Sequence, residues 1–189
     1  LIGDSFAHGA CVNRPNDIAS ILRTSSNKSV LNLGYSASGP LVQYATLREY
    51  LNPKVKKVLW IYYEENDFSD LKKELKNKVL KNYLNDSTFT QNLKSKKNKI
   101  NDLAKTKIEK EVEIMNRELK KNKSKNNKIK YIEFIKVSNL RSLILSKIKK
   151  KKQKQKLTQP LSEFKKILRL ANDLIIKNNS KLYFVYLPE

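Results

Sequence analysis

Leu1-Ile2-Gly3-Asp4-Ser5 is the stretch on which the reading of this chain turns. It reads as the end of a buried strand running into a tight turn that delivers a serine, and Gly3 lets the backbone bend sharply there to present Ser5 at the sheet edge. Two further segments end in a similar way. Val30-Leu31-Asn32-Leu33-Gly34-Tyr35-Ser36-Ala37-Ser38-Gly39-Pro40 is an apolar run that closes in small residues just before a helix start at Pro40. Val58-Leu59-Trp60-Ile61-Tyr62-Tyr63-Glu64-Glu65-Asn66-Asp67 is a further buried strand ending in Asn-Asp. Ligands bind in the crevice at the carboxyl ends of parallel strands in an open α/β sheet. Ser5, Ala37 to Gly39, and Asn66 are therefore expected to converge.

Strand, glycine, acidic residue and serine in this order resemble the nucleophile turn of the GDSL esterases, also called SGNH hydrolases. The other two segments resemble the family's second and third blocks, the third usually written Gly-x-Asn-Asp. The resemblance implies a serine ester hydrolase or acyl transferase acting, without a cofactor, on an acyl ester of a small molecule, a carbohydrate or a lipid. Ser5 would attack the ester carbonyl. The Asn66 amide, the N–H of Ser5 and a backbone N–H at Ala37 or Gly39 would steady the oxyanion, each such donor being worth roughly 3 kcal/mol of barrier. Asp4 is expected to orient the turn, and Asp67 to hold a loop that carries Asn66.

The sequence departs from the family's pattern at three places. Glu64 and Glu65 stand where the third block usually carries glycine, and Ala37 stands where many relatives have glycine. The family's Asp-x-x-His, on a loop after the last strand, does not occur. Both ends read as cut from a longer protein, so this stretch is expected to be inactive by itself. The single histidine, His8, is three positions after Ser5 and within helical reach of it. It reads as first-turn packing, a cap or a substrate contact, because a general base must approach the hydroxyl from the side opposite the attacked carbonyl, held by its own partner. The plainer reading of Ser5 is a cap on the following helix.

The 189 residues carry a formal charge of +22, and nearly all of it falls between residues 72 and 157. That split predicts a near-neutral α/β frame, residues 1–71 and 158–189, interrupted by a Lys-rich and mainly helical insertion, residues 72–157. In the frame, Asp17 to Arg23 reads as a short helix and Val30 to Leu33 as the second strand. Pro40 to Leu51 is a helix with Leu41, Tyr44, Ala45 and Leu47 at helical spacing, and Val58 to Tyr63 is the third strand. Pro160 to Asn178 carries Leu161, Phe164, Ile167, Leu168, Ala171, Leu174 and Ile175 on one stripe. Leu182 to Leu187 is the fourth strand. Alternation of this kind predicts a parallel sheet covered on both faces, and with the resemblance it gives a three-layer α/β/α, flavodoxin-like fold.

Within the insertion, Leu93, Ile100, Leu103, Ile108, Val112, Met115 and Leu119 suit a long amphipathic helix, with Ile129 to Ile148 as its partner helix. Its charge suits an anionic surface such as a polysaccharide or lipid headgroups, or simple solvation. Nucleic acid is disfavoured, since no zinc-finger or RNA-recognition pattern occurs. Two other classes remain open: a non-catalytic binding module that kept the fold, and a basic helical interaction protein. One cysteine, Cys11, excludes an internal disulfide and reads as a buried thiol. One histidine and one cysteine cannot build a usual zinc shell. No apolar run of about 20 residues suggests a transmembrane helix.

Overall fold

The computed structural model describes residues 1–123 and 160–188. It is a mixed α/β chain that divides into two units, one formed by Leu1–Lys94 with Gln159–Glu189, the other by Ser95–Thr158. In the first unit α1 (Ser5–His8), α2 (Ile18–Ser26) and α3 (Pro40–Tyr50) precede β1 (Lys57–Tyr63). Then come α4 (Glu64–Glu74) and α5 (Lys78–Asn85). After the second unit, which holds α6 (Lys97–Lys123), the frame resumes with α7 (Leu161–Lys177) and β2 (Lys181–Leu187).

The sheet has two parallel strands, in register from Lys57 opposite Lys181 to Tyr63 opposite Leu187. Val58, Trp60 and Tyr62 alternate onto the face that meets α3 and α7, as the period of two requires. Their core includes Leu41 and Leu47 of α3, Leu71 of α4, and Ile167, Ala171 and Ile175 of α7, all nearly inaccessible to solvent. The expected stripe of α7 is the one that packs, although Leu161 at its start stays exposed.

Two expected strands do not form. Ile2 makes only an isolated parallel bridge to Trp60, its N–H donating to Leu59 O (2.9 Å) and its carbonyl accepting from Ile61 N–H (3.0 Å). Residues 30–33 are not a strand, yet the N–H of Leu33 donates to Leu1 O (2.9 Å) and that of Tyr35 to Gly3 O (3.2 Å). The reason for the interruption is Gly3: at φ 147° it leaves the extended conformation after two residues, so the ladder ends as the turn begins.

The frame also extends further than its charge suggests. Residues 72–94 belong to it and not to a basic insertion, because their lysines ride on the outer faces of helices whose inner faces are buried in the frame, through Asp70, Leu71 and Glu74 in α4 and Tyr83 and Leu84 in α5. Beyond α5 the chain wraps back over α3. The Arg48 guanidinium donates to the carbonyls of Tyr83, Asp86, Ser87 and Phe89 at 2.7–3.0 Å. Its neighbour Glu49, also buried, accepts from Tyr83 Oη (2.5 Å), Thr90 Oγ1 (2.8 Å) and the N–H groups of Gln91 (2.7 Å) and Leu93 (2.8 Å). Burial pushes the Glu49 carboxyl up, but these donors outweigh it and bring it down to about 2.

In the second unit, α6 follows the expected helix, and Ile100, Leu103, Ile108, Val112 and Met115 are exposed along it. Leu93, read with that seam, lies instead in the frame on Glu49. The suggested partner helix, residues 129–148, and the lysine run 149–156 lie outside the described residues. Cys11 is exposed in the turn after α1, not buried. Among the described residues no helix is long and apolar enough to cross a membrane.

Candidate active site

Asp4, fully buried, caps α1: its Oδ1 accepts from Phe6 N–H (3.0 Å). Ser5 is consequently the first helical residue and not the cap, and its N–H sits at a helix start, where no carbonyl one turn earlier serves it. The other oxygen of Asp4, Oδ2, is 3.3 Å from Ser5 Oγ and 3.3 Å from Asn66 Nδ2. One carboxylate oxygen thus holds both the hydroxyl and the amide, and the first and third segments meet there. An amide nitrogen carries two hydrogens, so Asn66 keeps one for another acceptor. Its Oδ1 is buried without a protein partner. Turning the amide over would set that oxygen against the Asp4 carboxylate, so the nitrogen belongs where it is.

Asn66 and Asp67 lie in the first turn of α4, which starts directly after β1, and not in a loop. Asp67 accepts from Tyr63 N–H (2.7 Å) and from Gln43 Nε2 (3.3 Å), which fixes the strand-to-helix junction. Burial pushes the Asp67 carboxyl up to about 7; the Tyr63 N–H opposes this, and the charges of Asp4 and Asp70 add to it.

The second segment is drawn in by three ties. Ser38 Oγ shares its one hydrogen between Tyr35 O (2.6 Å) and Gly3 O (3.2 Å). Asn32 Nδ2 donates to Ala7 O (2.8 Å) and its Oδ1 accepts from Gly34 N–H (2.9 Å). At Gly34 a Cβ would lie 2.5 Å from His8 N, so only glycine lets this loop press on α1.

Ala37 and Gly39 separate here. Ala37 is exposed at φ 60°, a left-handed backbone that alanine adopts only when its surroundings hold it. Gly39 is buried, and its N–H donates to Glu74 Oε1 (2.6 Å). Glu74 Oε2 also accepts from Leu41 N–H (3.0 Å) and Val42 N–H (3.4 Å), so a carboxylate from the end of α4 caps α3, whose own N-cap has no side chain. A Cβ on Gly39 would meet Glu74 Oε2 at 2.8 Å. Gly39 therefore admits the cap, its N–H is already engaged, and Ala37 is the backbone donor left.

Glu64 and Glu65, which stand where the third block usually carries glycine, are exposed and accept hydrogen bonds from the hydroxyls of Tyr186 and Tyr63. His8 does not address Ser5. Its Nδ1 is 3.4 Å from Ser36 Oγ, and its ring stacks on Tyr35 with centroids 6.1 Å apart.

Sequence reasoning missed Gln43. It is 3% exposed and joins the second segment to the third: Nε2 donates to Ser38 O (2.7 Å) as well as to Asp67, and Oε1 accepts from Trp60 Nε1 (2.5 Å). The one available signal was a glutamine set among the apolar positions of α3. Among the described residues no group of His, Cys, Asp and Glu is placed to hold a metal ion. Compared with known protein families, curated proteins and solved structures, the chain matches none.

Proposed function

We propose that this chain carries the nucleophile and oxyanion half of an SGNH-type serine esterase or acyl transferase on a three-layer, flavodoxin-like frame. The observation that carries the reading is the meeting of Ser5 Oγ and Asn66 Nδ2 on Asp4 Oδ2. The finer fold draws support from the partial ladder, in which the segments at 31–35 and 1–3 extend the β1–β2 order in parallel.

In this reading Ser5 Oγ adds to the carbonyl carbon of an acyl ester. The negative charge that develops on the carbonyl oxygen is met by the second Nδ2 hydrogen of Asn66 and by the N–H groups of Ser5 and Ala37. Collapse expels the alcohol and leaves the acyl group on Ser5, to be taken by water or by a second alcohol. Asp4 holds its neighbours and moves no proton. The proton of Ser5 needs a base, and the Asp-x-x-His segment that the resemblance calls for is not in this sequence.

The test is hydrolysis of p-nitrophenyl acetate by the full-length protein, beside its Ser5→Ala and Asn66→Ala variants. Ser5→Ala is expected to abolish turnover, and Asn66→Ala to lower kcat by roughly a hundredfold with little change in KM. Serine-independent turnover, or none, would end the hydrolase reading. A second reading, a binding module whose basic helical unit meets an anionic partner, is favoured by the exposed lysines along α6. It predicts salt-sensitive binding to an anionic polysaccharide that survives Ser5→Ala.

A further inference from the structure

Two aromatic pairs stand on either side of Ser5, with Phe6, His8 and Tyr35 exposed and Tyr63 half-buried. Successive residues of a helix are about 100° apart, so in α1 the buried Ala7 points inward, and Phe6 and His8 fall on opposite flanks of the outward-facing Ser5. On one flank the Phe6 ring, 47% exposed, meets Tyr63 edge-on with centroids 4.9 Å apart. On the other, Tyr35, 69% exposed, lies nearly parallel to the His8 ring, with Ser36 Oγ on its Nδ1. Both flanks are fixed to the serine turn. Tyr35 donates its N–H to Gly3 O, and the Tyr63 N–H is held by Asp67.

We propose that this arrangement is a sugar-ring subsite and that the ester cleaved or formed at Ser5 is carried on a carbohydrate. The inference rests on Ser5 being the nucleophile and names the substrate class of that same site. A pyranose ring presents apolar C–H faces and a rim of hydroxyls, and it is matched by aromatic faces whose edges carry polar groups. Three of the four rings here do so: Tyr35 and Tyr63 have hydroxyls, with Glu65 on the latter, and His8 has its ring nitrogens beside Ser36. A long acyl chain asks instead for a continuous apolar groove. The ring would lie against Tyr35 or Phe6, with its acyl group over Ser5 between the two pairs.

The experiment titrates 6-O-acetylglucose, which keeps its ring hydroxyls, into the full-length protein carrying Ser5→Ala, followed by calorimetry and saturation-transfer NMR, so that binding is read without turnover. Binding is expected, with acetyl and ring protons in contact with aromatic protons. Adding Tyr35→Ala or Phe6→Ala weakens it by about tenfold, whereas Tyr183→Ala, an exposed aromatic on β2, leaves it unchanged. Both tested rings are exposed, and an unchanged circular dichroism spectrum shows that the variants fold. Absence of binding, binding indifferent to both aromatic variants, or preferential binding of monolaurin overturns the proposal. Sugar binding by a wild type that turns over no ester removes the hydrolase reading and keeps the subsite; turnover of p-nitrophenyl acetate without sugar binding does the reverse.

Discussion

Gly3 sits at φ 147°, and a Cβ there would lie 2.7 Å from the carbonyl oxygen of Ile61 and 2.9 Å from Ala7 Cβ. Both the backbone angle and the space exclude a side chain. Gly3→Ala is expected to lower stability by about 3 kcal/mol in urea unfolding, because the new methyl pushes on β1 backbone that cannot give way cheaply. Gln43→Leu keeps the volume but strands Trp60 Nε1 and the Ser38 carbonyl, and should cost about 2 kcal/mol. If Gln43 also sets the spacing between the Ala37 loop and Asn66, the same variant lowers kcat on p-nitrophenyl acetate with KM nearly unchanged. Gly3 and Asn66 were legible because each lies where an apolar run stops, and a pattern marks the place. Gln43 and Glu74 were not, because a lone polar residue inside a helix has no spacing to announce which distant backbone it will serve.

At the scale of elements, α3 depends on α4 for its start. Gly39 has no side chain to offer the first N–H groups of α3, and Glu74 arrives from a helix that follows β1. Glu74→Ala is expected to lower the thermal midpoint and to speed hydrogen exchange at Leu41 and Val42 before the rest of α3, with a loss of about 2 kcal/mol. Glu74→Gln should recover part of it, since one amide oxygen still accepts. β1 was readable as an apolar run, and α3 and α7 from period and from Pro40 and Pro160. α4 was not: Glu64-Glu65-Asn66-Asp67 looks like a strand end, and the lysines from residue 72 on look like the start of a solvated run. α5 shows why composition misled, since Lys78-Val79-Leu80-Lys81-Asn82-Tyr83-Leu84-Asn85 has lysines on one side and the buried Tyr83 and Leu84 on the other. Residues 30–33 failed in the opposite sense: an apolar run was present and with Tyr35 bonds to Leu1 and Gly3, but the turn at Gly3 keeps that ladder too short to be a strand.

For the whole molecule, two buried carboxyls pull the pH dependence of stability in opposite directions. Glu49 is lowered in the folded state from 4.5 to about 2, so its contribution is present above pH 4.5 and is lost as pH falls toward 2. Asp67 is raised from 3.8 to about 7. Its neutral form is the one the fold favours, so stability is lost as pH climbs from about 4 to 7 while the unfolded chain ionises first. These two groups together give a frame most stable in mild acid. The urea midpoint is expected to pass through a maximum near pH 4 to 5. Asp67→Asn should reduce the fall on the alkaline side, part of which stays with Glu74, whose carboxyl is also pushed up by burial, and Glu49→Gln should reduce the fall on the acid side. A profile that rises steadily to pH 8 would contradict the burial of Asp67.

The Arg48–Glu49 grip on residues 83–93 has a mechanical meaning. The chain leaves the frame immediately after this grip and returns to it just before α7, so a pull arriving along residue 94 is met by Arg48 and Glu49. Many short hydrogen bonds loaded in parallel resist such a tug better than the single contacts on Asp4. Load entering on that side is therefore spread over these bonds before it reaches the turn at Ser5, much as a cable clamp spares the solder joint behind it.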